Sequence, residues 1–88
     1  MGGRDTDNQG NRLWRKMTVA QIRPGDGARY SEVVFLESAR FYKLYRNNPR
    51  YDEILKDLRH ALAKRRALNV RLASPESDVV ENVEELDT

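Results

Sequence analysis

One helical stripe, set among segments that alternate, most constrains what this chain can fold into. From Asn48 to Arg66 the residues Tyr51, Ile54, Leu55, Leu58, Ala61 and Leu62 recur at the i, i+3, i+4, i+7 spacing of a single helix face. Asn48 is a favourable N-cap, and Pro49 suits the first helical position, where no backbone N–H is needed. Asp52 and Glu53 near the start, with Lys64, Arg65 and Arg66 near the end, complement the helix dipole. Such a helix must bury its stripe, and the flanking sequence offers mostly strand-like cover.

Leu13 to Arg23 reads as a first strand, with Met17 and Val19 on one face and Thr18, Ala20 and Ile22 on the other. Trp14 stands at its entrance, placed to cap a core. Pro24-Gly25-Asp26-Gly27 is a turn, with proline fixing one φ and glycine free to take a positive one. Ser31 to Arg46 is rich in β-branched and aromatic residues and predicts a hairpin of Val33–Leu36 and Arg40–Tyr45 around Glu37-Ser38-Ala39. Read instead as a helix, it would be apolar nearly all round, which a chain this small could not bury. The Glu-Ser turn lacks the Gly or Asn of a tight hairpin, which counts for the helix.

After the central helix, Leu68, Val70 and Leu72 alternate with Asn69, Arg71 and Ala73, and Ser74-Pro75 ends the run. Val79 to Val83 predicts a last, edge strand, although the spacing of residues 79–86 also suits an acidic helix. The expected fold is therefore α+β: a small five-stranded antiparallel barrel-like sheet with one amphipathic helix, in the order β-β-β-α-β-β. That order is similar to the OB-fold barrels, in element order alone. The alternative is a mainly α helical hairpin.

A chain of 88 residues makes one domain at most. Residues 1–12 are polar and glycine-rich and read as a disordered arm, residues 13–86 as a single small globular domain, and residues 87–88 as a tail. Met1-Gly2 with Thr6 loosely fits an N-myristoylation pattern that short tails meet by chance. No run approaches the length of a membrane span, and a soluble, cytoplasmic protein is expected.

Charge is unevenly distributed. Residues 1–75 carry all 16 Lys and Arg and 8 of the 14 acidic residues, whereas Glu76, Asp78, Glu81, Glu84, Glu85 and Asp87 crowd the end with no basic residue among them. A basic body with an acidic end can attract polyanions or fold its tail onto itself.

Few residues point to catalysis. There is no cysteine, which removes thiolate nucleophiles, disulfides and cysteine metal sites. His60 is the one histidine and falls outside the buried stripe, so neither a general base with an orienting partner nor a common zinc site is indicated. No enzyme, cofactor or metal is expected. The stronger signal is Arg40-Phe41-Tyr42-Lys43-Leu44-Tyr45-Arg46. With Phe41 and Tyr45 turned inward, Arg40, Tyr42 and Arg46 would form a cationic face with one stacking ring, extended by Arg50 and Arg71 and more widely by Lys64, Arg65 and Arg66. The function expected from the sequence is a non-enzymatic binding module, for a protein partner or for itself as a homodimer through a sheet edge. The alternative is single-stranded nucleic-acid binding through Arg40, Tyr42, Arg46, Arg50 and Arg71.

Overall fold

The computed structural model describes residues 14–86 apart from positions 26 and 28. Its elements are β1 (Trp14–Pro24), β2 (Tyr30–Phe35), β3 (Phe41–Tyr45), α1 (Tyr51–Lys64), β4 (Ala67–Leu72) and β5 (Val80–Glu85). The five strands form one antiparallel sheet in the order β3-β2-β1-β4-β5, with the single helix between β3 and β4 in sequence. Ser31–Arg46 is thus a hairpin and not a helix. The expected arm at residues 1–12, the myristoylation pattern and the tail at 87–88 lie outside the described residues.

β1 is the strand both halves share. Its first half, Trp14 to Thr18, pairs with β4, and its second half, Val19 to Pro24, pairs with β2. Between Val19 and Gln21 the register shifts by a bulge. An extra residue there changes which side chains face inward. Met17 and Val19 are buried as the alternation predicts, but Ile22 also packs against the core instead of facing away with Thr18 and Ala20. A second bulge, at Glu81 between the Arg71–Asn82 and Leu72–Val80 pairs, bends β5 against β4.

The bends bring the sheet's two outer strands together. The Lys43 N–H donates to the Asp78 carbonyl at 2.8 Å, and Lys43 pairs with Val79 in an isolated parallel bridge. The sheet is therefore drawn round into a barrel-like curve, pinned at one point. Inside lie Met17, Val19, Val33, Phe35, Tyr42, Leu44, Leu68, Val70, Leu72, Val80 and Val83, closed over by Ile54, Leu58 and Ala61 of α1. Phe35 and Tyr42 meet edge to face with centroids 5.3 Å apart.

α1 starts later than its sequence signals suggest. Its N-cap is Arg50, with no side-chain capping bond, and not Asn48. Asn48 Oδ1 instead accepts from the Arg50 N–H at 2.8 Å, holding the turn before the helix. Asn48 Nδ2 donates to the Glu81 carbonyl at 3.0 Å and ties that turn to β5. The C-terminus closes on Arg65 in the left-handed conformation (φ 56°), and the Arg66 N–H donates to the Ala61 carbonyl. The last strand begins at Val80 and runs to Glu85, so the valine content and not the helical spacing decides residues 79–86.

The β2–β3 connection needs no glycine because Glu37 anchors it from outside. Its carboxylate accepts from both the Thr18 N–H and the Thr18 hydroxyl, each at 2.7 Å. Burial alone would raise the Glu37 pKa, but these two bonds and one from its own backbone N–H outweigh it and hold the group below its ordinary value.

Candidate functional site

The aromatic strand faces the opposite way from the sequence expectation. Tyr42 is fully buried (0% exposed) and its hydroxyl donates to Ser38 Oγ at 3.1 Å. Phe41, assigned to the core, is 52% exposed beneath the Arg23 guanidinium, 5.0 Å from the ring centroid. Tyr45 is half-buried against Tyr30, with ring centroids 5.4 Å apart. The physical reason is the hairpin register. Val33 stands opposite Tyr42 and Ser31 opposite Leu44, so the inward residues of β2 select Tyr42 and Leu44 as their neighbours.

The other expected contact residues scatter. Arg40 is exposed in the bend before β3. Arg50 is occupied by Glu53 (3.0 Å) and by Asn82 Oδ1 (2.6 Å) at the start of α1. Arg71 lies on β4 with its Nε 3.6 Å from a Glu81 carboxylate oxygen and no hydrogen-bond partner. No shared cationic face with a stacking Tyr42 is formed. Arg46 faces a concave surface, together with residues outside that set.

That concavity has a volume of about 430 Å³ and lies between α1 and the end of the sheet where β1 passes to β2. Ile22, Pro24 and Leu62 form an apolar wall. Opposite, the Arg46 guanidinium lies 5.6 Å above the Tyr51 ring, and the Tyr51 hydroxyl shares a 2.8 Å hydrogen bond with Ser31 Oγ. Ser31 is buried, so this bond fixes the ring. Arg23 and Arg59 complete the rim, Arg23 paired with Glu32. Gly25 sits directly beneath the Tyr30 ring, in a space that any β-carbon would overlap. The helix spacing gave Tyr51, but only the barrel closure brings it to Ser31 and Arg46, residues 20 and 5 positions away in a chain read strand by strand.

His60 is solvent-facing, as its place off the stripe implies, and its Nδ1 meets a Glu85 carboxylate oxygen at 2.9 Å. No group of three metal-ligating side chains occurs among the described residues, and none of their helices is long and apolar enough to cross a membrane.

No protein-family model and no curated protein matches the chain. Solved structures do. The crystal structure of pro-protein-glutaminase is similar with a TM-score of 0.69 and 22% identity, over 82% of this chain and 24% of that one. A mutant of pro-protein-glutaminase is similar with a TM-score of 0.70 and 21% identity over the same shares. The chain thus spans about a quarter of the solved chains it resembles, and at this identity the likeness establishes the fold. It also corrects the expected function. A fold read as that of a non-enzymatic association or nucleic-acid-binding module is one found within an enzyme precursor, and Tyr42, which the nucleic-acid alternative needed on the surface, is in the core.

Proposed function

We propose that the chain is a folded unit of an enzyme precursor of the protein-glutaminase kind, with the reacting groups carried elsewhere. The observation that supports this reading is the likeness to pro-protein-glutaminase over 82% of the chain. Its coverage of 24% of the solved chain leaves most of such a precursor outside this unit. Four of the side chains here that could act as nucleophile or base are engaged in holding the fold. Ser31 is bonded to Tyr51, Ser38 to Tyr42, Ser77 to the Val79 N–H and His60 to Glu85. Amide hydrolysis needs a nucleophile, a base and an oxyanion donor converging on one point, and these four are spread over the barrel.

The test is ammonia release from a glutamine-rich protein by a protein-glutaminase whose precursor segment has been removed, with the 88-residue chain titrated in. A rate that falls with added chain is the expected result. A rate unchanged at large excess of chain overturns the reading, and ammonia release by the chain alone overturns the placement of the reacting groups elsewhere.

A further inference from the structure

We propose that the cavity between α1 and the β1–β2 end of the sheet is a binding site for a small organic oxyanion, a carboxylate or phosphate carried on an apolar body. This inference does not depend on the proposed function. Three guanidiniums, those of Arg23, Arg46 and Arg59, border the cavity, and no carboxylate lines it among the described residues. Glu32 neutralises Arg23, but Arg46 and Arg59 have no carboxylate within ion-pair distance among the described residues. Like charges gathered at one concave surface repel, and low-dielectric walls focus their field into it, so an anion there is favoured by both. Arginine's planar fork suits the two oxygens of a carboxylate or phosphate.

The site is also prepared mechanically. Tyr51 is fixed by Ser31, and the Tyr51 ring in turn carries Arg46. Arg46 is thus placed before a ligand arrives, which lowers the ordering cost of its charge-assisted bond. The volume sets the rest of the ligand. A bare oxyanion would fill only a fraction of about 430 Å³, and the remaining wall is Ile22, Pro24 and Leu62 with the Tyr30 ring. An apolar or aromatic body is what that wall would desolvate. The other large hollow, about 600 Å³ beside Leu36 and Ala63, has Arg65 as its one charged residue and lacks this convergence.

The experiment is an amide-resolved NMR titration of the 88-residue chain with phenyl phosphate, benzoate, inorganic phosphate and benzyl alcohol. Saturable shifts at Ser31, Tyr51 and Arg59 are expected from phenyl phosphate or benzoate, and the tighter of the two identifies the preferred head group. Arg46→Gln and Arg59→Gln change exposed side chains and should leave the amide spectrum of the barrel intact. Each should weaken binding roughly tenfold, the loss of one charge-assisted contact. Non-saturating shifts from both organic anions, or an affinity unchanged in the double variant, overturn the site. Equal binding of benzyl alcohol overturns the role of the anion, and equal binding of inorganic phosphate overturns the role of the apolar wall.

Discussion

Tyr42 shows how much one residue's placement decides. In sequence it alternates with Phe41 and could face either way; nothing local distinguishes an aromatic with a hydroxyl at a barrel's centre from one on its surface. What decides is cross-strand register, set by Val33 opposite it, and Ser38, which accepts a hydrogen bond from its hydroxyl. Tyr42→Phe should lower unfolding stability by about 0.5–1.5 kcal/mol through the lost hydrogen bond, and Tyr42→Ala by about 3–5 kcal/mol through the cavity beside Phe35. Urea denaturation followed by fluorescence checks both, and an unaffected Tyr42→Ala would place the ring outside the core. Glu37 carries a pH dependence. Its folded-state pKa is lowered, so its contribution to stability is fully present above the unfolded carboxylate value and is lost as pH falls through the folded one. Stability curves of wild type and Glu37→Gln should differ near neutral pH and converge on acidification below the ordinary glutamate range. Parallel curves would show that Thr18 is not held by the charged form.

Among the elements, the helix, β1 and β4 are legible in the sequence because each has one dominant period, whereas β2, β3 and β5 read as strands by β-branched and aromatic content against a helical alternative. Leu68, Val70 and Leu72 needed only alternation, and Ile54, Leu58 and Ala61 only the helical stripe. What was not legible depends on contacts between elements. Ile22 changes sides because a bulge intervenes, and Asn48 spends its side chain on the turn and on β5 instead of on the helix end. The cavity is illegible for the same reason, since Ser31, Arg46 and Tyr51 come from β2, the turn after β3 and α1. At the other helix end Arg65 holds a positive φ that suits glycine better. Arg65→Gly should therefore raise stability by about 0.5–1 kcal/mol, as relief of left-handed strain. A lower melting temperature for that variant would mean the Arg65 side chain contributes more than its backbone costs.

For the molecule as a whole, the order of strands makes β3 and β5 the outer pair, yet they touch where the Lys43 N–H reaches the Asp78 carbonyl. That contact separates a curved, pinned sheet from a flat one. In hydrogen exchange the Lys43 amide should be protected to an extent comparable with β2, whereas Arg40, in the exposed bend, should exchange far faster. Fast exchange at Lys43 would mean the outer strands part readily. The basic body and acidic end noted in the sequence take on a local meaning here. Asp78 lies 3.9 Å from the Lys43 ammonium and Glu81 pairs with Arg71, so part of the acidic segment is engaged with the barrel's own wall.

The shared strand has a consequence for synthesis. β1 is made first, and β2 follows soon enough to occupy its second half. Its first half waits for β4, which emerges only after the hairpin and the helix are complete. Until then the backbone from Trp14 to Thr18 presents an unsatisfied ladder on a nascent polypeptide. A ribosome paused between Lys64 and Ala67 would hold this chain in an aggregation-prone state, with four of its six elements already made and the seam still open.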